Sequence, residues 1–186
     1  MIVLASGSPR RSSLLRSAGY SLLIAPSDVD ETPLANESPE DIAVRLARKK
    51  AAKASTDHVV LAADTVVHLD GHVLDKPRDR AMARDHLTRL SGRWHKVTTG
   101  VCLRKGERYD ELFETTRVRF RSLSAQEIER YLATGEADDK AGAYGIQGLA
   151  ASFVAEVIGS WTNVVGLPLE RCIDSLNTYG VARDAS

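Results

Sequence analysis

The sequence predicts a mixed α/β domain, in which helices flank a sheet. Strand and helix patterns alternate through the first half of the chain, and strand patterns dominate the second half. Of the 186 residues, 43% are hydrophobic, which is enough for one substantial core. No internal repeat, linker or low-complexity tract divides the chain. We therefore expect a single domain over residues 1–186.

Start and stop signals define most of the elements. Ser38 and Ser124 begin capping boxes, and Gly19 ends the first helix. Residues 59–67 are apolar almost throughout, as in a strand buried on both faces, and Asp70-Gly71 then predicts a hairpin turn. In chain order, the predicted elements are strand 2–4, helix 9–18, strand 21–25, helix 39–55, strands 59–67 and 72–74, helix 78–90, strands 96–103, 112–116 and 117–122, helix 125–134, strand 152–158 and helix 169–179.

Composition excludes several classes of protein. The 25 basic and 25 acidic residues give no net charge, which argues against a binder of nucleic-acid polymers or membrane surfaces. No apolar run is long enough to span a membrane, and the first strand is too short for a signal peptide, so we expect a cytoplasmic protein. Cys102 and Cys172 lie far apart and lack metal-site spacing, which predicts free core thiols.

The segment from Ser6 to Arg11 joins a strand to a helix and carries two consecutive arginines. Gly7 allows a turn, Ser8 is a favourable N-cap, and Pro9 suits the first helical position. Free backbone N–H groups and the positive end of the helix dipole would meet the two guanidinium groups there. The segment therefore predicts an anion site, and phosphate is the anion that fits it best.

Asp64 stands in the middle of an apolar strand, where a buried and unpaired carboxylate costs several kcal/mol. The carboxylate therefore needs a partner, and it has one if Asp64 is a metal ligand, a general base or part of a structural ion pair. Thr65 beside it adds a second polar group. Lys50 follows Leu46 by four residues on the apolar stripe of its helix. Its ammonium must therefore reach either solvent or an anion.

Two further candidates are less specific on their own. Glu31 belongs to an acidic loop with Asp28 and Asp30, which can offer a second carboxylate to a hard divalent cation or simply be solvated. Lys76 precedes Pro77, which makes the backbone extended there and suits either a phosphate-binding loop or an ordinary connection.

Two glycine-containing segments come late in the chain. The segment Gly142–Gly148 has neither Walker A nor dinucleotide spacing, but Gln147 within it offers a donor and an acceptor that suit a base edge. The segment Gly159–Pro168 reads as a second loop, either facing a ligand or serving only as a turn.

Together these segments resemble the Maf-like nucleotide pyrophosphatases, and the resemblance extends from Leu4 to Pro168. It implies a long twisted mixed sheet with two lobes around a cleft, as in inosine-triphosphate pyrophosphatases. It further implies hydrolysis of nucleoside triphosphates to the monophosphate and pyrophosphate with a divalent cation (Mg²⁺ or Mn²⁺), in cytoplasmic and often homodimeric proteins. The matching segments are Ser6–Arg11 with Leu14-Leu15, Val29–Glu31, Ala62–Thr65, Lys76–Asp79, Gly142–Gly148 and Asn163–Pro168.

The resemblance also implies roles for individual residues. Glu31 and Asp64 would bind the metal, Asp64 would activate the attacking water, and Lys76 would complete the catalytic group. The residues that would hold the triphosphate, together with Lys76, are Ser6, Ser8, Arg11 and Lys50.

Three positions point to one branch of this family. The branch that prefers dTTP and UTP is matched at Arg10, Thr65 and Gln147, whose side chains would read the pyrimidine. The resemblance also implies that the enzyme clears non-canonical or modified nucleotides. A 7-methyl-GTP pyrophosphatase, and a nucleotide-binding regulator of septum formation without turnover, stay open as alternatives.

Overall fold

The computed structural model describes residues 1–32 and 34–184. Among them, seven strands form one mixed sheet in the order β2-β1-β3-β5-β6-β7, with β4 paired to β3, which confirms the mixed α/β prediction. The strands are β1 (Ile2–Leu4), β2 (Leu22–Ile24), β3 (Val59–Leu69), β4 (His72–Val73), β5 (Trp94–Lys105), β6 (Arg108–Phe120) and β7 (Val154–Ile158). The helices are α1 (Pro9–Ser17), α2 (Pro39–Lys53), α3 (Arg80–Leu90), α4 (Ala125–Leu132), α5 (Trp161–Val165) and α6 (Leu169–Thr178).

The strand lengths in the sheet decide where the functional residues meet. Strand β1 pairs in parallel with both β2 and β3, but only with the first residues of β3, Val59–Leu61. Because β1 and β2 end early while β3 continues to Leu69, the chain segments that follow β1 and β2 lie beside the middle of β3. Asp64 occupies that middle position.

Helix α2 packs unusually close to the sheet. The predicted capping box is present, since the Ser38 side chain accepts a hydrogen bond from the backbone N–H of Asp41. Gly100 of β5 lies opposite Asp64 in the strand register. A Cβ on Gly100 would stand 2.3 Å from the backbone carbon of Ala43, so only glycine permits this approach. The close packing brings Lys50, further along α2, over the strand that carries Asp64.

The core lies on both faces of the sheet. One face packs on α2, and the other packs on α1 and α6. A separate cluster surrounds the far half of β3 and β5 and includes α3, α4 and the aromatic residues Phe120, Tyr144 and Phe153. Cys102 and Cys172 are buried and free, as predicted, and burial raises the pKa of the Cys102 thiol to about 12.

Two predictions about elements are corrected. The predicted strands 112–116 and 117–122 form one continuous strand, β6, which ends at Phe120 and pairs with β5 from Arg108 to Arg119. Its polar residues are tolerated because much of β6 stays accessible to solvent. The loop predicted at 159–168 contains the helix α5, which begins with the Ser160 side chain accepting from Asn163 N–H and ends at Gly166 with φ +122°.

None of the helices in the described ranges has the length and apolarity needed to cross a membrane.

Candidate active site

A cavity of about 440 Å³ opens where the segments after β1 and β2 meet the middle of β3. This volume is within the usual range for a small-molecule site. Gln147 is exposed and is absent from the cavity wall, although its neighbours Gly145 and Ile146 line it. The other predicted site residues all line the cavity: Ser6, Ser8, Arg10, Arg11, Glu31, Lys50, Asp64, Thr65 and Lys76.

Lys50 joins the two predicted carboxylates. Its Nζ lies 2.6 Å from Oδ1 of Asp64 and 2.7 Å from Oε1 of Glu31. The Asp64 side chain is only 13% exposed, and the lysine therefore supplies the partner that a nearly buried carboxylate requires. Lys76 stands further out, with its Nζ 3.8 Å from Oε2 of Glu31.

The charge state of Glu31 follows from this arrangement. Partial burial raises the pKa of the Glu31 carboxyl, but its hydrogen bond and attraction to Lys50 outweigh burial and leave the pKa below its usual value. Glu31 is therefore ionised at neutral pH, and the cavity holds fixed negative charge beside its cations.

The start of α1 offers unused hydrogen-bond donors. Ser8 occupies the N-cap position, as predicted, but its side chain makes no capping bond. Its N–H is instead directed back towards β1 and donates to Ser6 Oγ at 3.2 Å. The backbone N–H groups of Arg10 and Arg11 have no acceptor among the described residues. They remain available for an anion at the positive end of the helix.

The guanidinium of Arg11 is fixed at three points. Its Nε donates to the carbonyl of Gly166 at 2.8 Å, Nη1 to Ser6 Oγ at 3.0 Å and Nη2 to Thr65 Oγ1 at 3.0 Å. Desolvation lowers the pKa of Arg11, against the opposing attraction of Asp64, but an arginine keeps its charge in proteins. The fixed fork matches the geometry that a phosphate group requires.

Sequence reasoning missed the apolar wall of the cavity. Tyr144 and Ile146 line it, and the Tyr144 hydroxyl is hydrogen-bonded to His95 Nε2 at 2.7 Å. Gly142 is required at the start of this wall, because it has φ +68° and an added Cβ would lie 2.8 Å from Val67. Both residues belong to the glycine-rich segment that the sequence singles out, but apolar side chains there are equally typical of an ordinary core. An aromatic and aliphatic wall suits a planar base.

The carboxylate pair also fits a divalent cation. Among the described residues there is no group of three or more His, Cys, Asp or Glu side chains that could hold a metal ion. Glu31 and Asp64 nevertheless lie within hydrogen-bond distance of one ammonium, so their oxygens are close together. Magnesium typically uses one or two carboxylates with substrate phosphates and water. The donor set therefore fits a cation that is bound together with a triphosphate.

Fold and site together define a mixed α/β protein with a cavity between a helix N-terminus and a carboxylate pair, and this lining suits a phosphorylated small molecule. Comparison with known proteins agrees with this class. The family model described as Maf-like protein matches residues 1–179, and the chain belongs to this family.

Similar curated proteins cover nearly the whole chain. A dTTP/UTP pyrophosphatase of Symbiobacterium thermophilum is 48% identical over 182 residues, which covers 96% of this chain and 94% of the relative. The dTTP/UTP pyrophosphatase of Hahella chejuensis is 47% identical and covers 97% of this chain and 92% of its own. That of Halalkalibacterium halodurans is 46% identical and covers 96% of both chains.

A solved structure supports the fold alone. The Ham1 protein of Staphylococcus aureus superposes with a TM-score of 0.52 over 96% of both chains, at 15% sequence identity.

Proposed function

We propose that this protein hydrolyses dTTP and UTP to the nucleoside monophosphate and pyrophosphate, and thereby clears normal or modified pyrimidine nucleotides. The observation that carries the proposal is the pairing of Asp64 and Glu31 through Lys50, beside an anion-binding helix start. A protein that only binds triphosphate has little reason to place carboxylates near the phosphates without a catalytic metal. Relatives named dTTP/UTP pyrophosphatase, at 43–48% identity, support the choice of substrate.

The cations of the cavity hold the triphosphate in this mechanism. Ser6, Ser8 and the free N–H groups at the start of α1 bind phosphate oxygens, together with Arg11 and Lys76. Negative charge grows on the departing pyrophosphate as the bond between the α-phosphorus and the bridging oxygen breaks. Donors fixed in advance stabilise that charge without reorganising.

Asp64 takes the role of general base. Water attacks the α-phosphorus, its proton passes to the Asp64 carboxylate, and pyrophosphate leaves with the bridging oxygen. Lys50 contacts Oδ1 of Asp64, and no described residue donates a hydrogen bond to Oδ2. That second oxygen is the atom we assign to proton removal.

We assign Glu31 and Asp64 as the residues that hold a divalent cation, Mg²⁺ or Mn²⁺. Such an ion neutralises triphosphate charge and acidifies nearby water. Arg10 lines the same cavity and is proposed, with Gln147, to set the preference for pyrimidines. Thr65 lines it too, but its hydroxyl is bonded to Arg11 and Thr99.

The first test is pyrophosphate release from dTTP, UTP, CTP, GTP and 7-methyl-GTP, measured with magnesium and again with EDTA. We expect release from dTTP and UTP that needs the metal. Preference for 7-methyl-GTP would contradict the assigned branch. Binding of dTTP without any release would favour the regulatory binder instead.

Replacing Gln147 by Ala is expected to lower kcat/KM for dTTP and UTP about tenfold, because a site built to hydrogen-bond its substrate loses discrimination when a partner is removed. Turnover of CTP and GTP by the same variant provides the comparison. Gln126→Ala, on the exposed surface of α4, is the matched control and should change nothing. An unaltered nucleotide preference in Gln147→Ala would remove Gln147 from the specificity set.

We also propose that the protein is cytoplasmic and forms a homodimer. Two free, buried thiols suit a reducing compartment. Sedimentation equilibrium of the full chain measures its oligomeric state directly.

A further inference from the structure

Two hydroxyl groups, of the partly buried Thr65 and the fully buried Thr99, form a line from Arg11 into the protein interior. Arg11 Nη2 lies 3.0 Å from Thr65 Oγ1, which lies 2.9 Å from Thr99 Oγ1. Thr99 Oγ1 in turn lies 3.1 Å from the backbone carbonyl of Asn163. Thr99 and Asn163 are fully buried, and neither lines the cavity. The line therefore links a substrate-facing guanidinium to a residue that substrate cannot reach.

The chemistry of the groups fixes the direction of every bond in this line. A carbonyl oxygen only accepts, so Thr99 must donate its single hydroxyl proton to Asn163. Thr65 must then donate its own proton to Thr99 Oγ1. With that proton used, Thr65 Oγ1 is left as an acceptor, which is what Arg11 Nη2 needs. The order is therefore Arg11 to Thr65 to Thr99 to Asn163.

The far end of the line is rigid. Asn163 Nδ2 donates to the carbonyl of Val97 and to Thr116 Oγ1, both at 3.0 Å. The Asn163 carbonyl also accepts from the N–H of Gly166 at 2.9 Å, and the Gly166 carbonyl accepts from Arg11 Nε. The C-cap of α5, Gly166, thus restrains Arg11 directly, and Asn163 within α5 restrains it through the two threonines.

These bonds leave a defined part of Arg11 for substrate. A guanidinium has five N–H bonds in total, and three of them donate to Gly166, Ser6 and Thr65. One N–H on each terminal nitrogen remains, which is the number that a bidentate contact with a phosphate requires.

We propose that Thr99 is a positioning residue for the reaction, acting through Thr65 on the Arg11 guanidinium. The proposal rests on the proposed function for the nature of the substrate. It assigns the Thr65 hydroxyl to holding Arg11, because the Thr65 proton is directed to Thr99 and away from a base carbonyl.

Thr99→Val tests the proposal, since valine has nearly the same shape but no hydroxyl. We expect kcat/KM for dTTP to fall about tenfold, because a misplaced phosphate ligand costs at least this much. Thr99→Ser keeps the hydroxyl and should restore most of the activity. Thr98→Val is the matched control: Thr98 is equally buried, on the opposite face of β5, and bonds His68 and Thr115 instead. Equal losses in Thr98→Val and Thr99→Val would overturn the proposal.

A double-mutant cycle separates positioning from general damage to the fold. In an Arg11→Ala background, Thr99→Val should cause no further loss, because the group it positions is gone. The same tenfold loss in both backgrounds would overturn the proposal. If Thr99→Val does not fold, Thr65→Val breaks the preceding link. It should lower turnover of every nucleotide alike, and a selective loss of dTTP and UTP would instead assign Thr65 to base reading.

The same double-mutant cycle can be measured on binding alone, by calorimetry with thymidine α,β-imidotriphosphate. The imido group replaces the bridging oxygen between the α- and β-phosphates, so the analogue is not hydrolysed there. Wild-type protein that binds this analogue but does not cleave dTTP would disprove the proposed function alone. The double-mutant cycle measured on binding affinity would still decide the role of Thr99. Weaker binding in Thr99→Val only when Arg11 is present is the expected result, and equal weakening in both backgrounds would contradict it.

Discussion

Asp64→Asn is expected to lower kcat for dTTP by at least ~10²-fold while the protein stays folded. Asparagine keeps the shape of the side chain but cannot accept the proton of the attacking water. Lys50 loses one of its two carboxylate partners in this variant and keeps Glu31, so its ammonium is not left unpaired. The measurements are steady-state kinetics with saturating dTTP, and thermal unfolding of the same preparation.

The control is Asp110→Asn, which removes a carboxylate from an exposed ion pair with Arg108 on β6. Its kinetics should match the wild type, since exposed pairs contribute little. Near-normal kcat in Asp64→Asn would contradict the assignment of the base. Weaker binding of the imido analogue with unchanged kcat would assign Asp64 to holding the metal and phosphates instead.

Local sequence signals were enough to find the charged part of the site. A carboxylate inside an apolar strand and a lysine on the apolar stripe of a helix each require a partner, and Asp64 and Lys50 are partners of each other. The resemblance added Glu31, which composition alone could not distinguish from a solvated loop residue. The helix starts were equally readable, since capping boxes at Ser38 and Ser124 depend on residues only three apart.

The rest of the site depends on pairing across the sheet. Thr99 lies opposite Thr65 in the pairing of β3 with β5, and because β4 and α3 separate these strands along the chain, no hairpin turn sets their register. The same applies to Asn163, whose side chain bonds residues of β5 and β6. Gln147, which we propose as a specificity residue, is exposed in this structure, so its predicted contact with the base stays a prediction.

Gly100→Ala is expected to destabilise the protein by about 3 kcal/mol, at the upper end of the usual cost of overpacking. The added Cβ would lie 2.3 Å from the backbone carbon of Ala43, 2.4 Å from the nitrogen of Val44 and 2.5 Å from the Ala43 carbonyl oxygen. All three are backbone atoms, so no side-chain rotation relieves the contact. Helix α2 as a whole must move away from β5.

Chemical denaturation measures the expected loss, which corresponds to a fall in melting temperature of roughly 10 °C for a chain of this size. Gly7→Ala is the control for unfolding, since its Cβ would meet only Pro26 side-chain atoms at 3.7 Å. Because α2 carries Lys50, a moved helix also withdraws the ammonium from Asp64 and Glu31. The Gly100→Ala protein that remains folded should therefore lose activity as well. Unchanged stability and activity would show that α2 adapts freely, and that close packing at Gly100 does not set the position of Lys50.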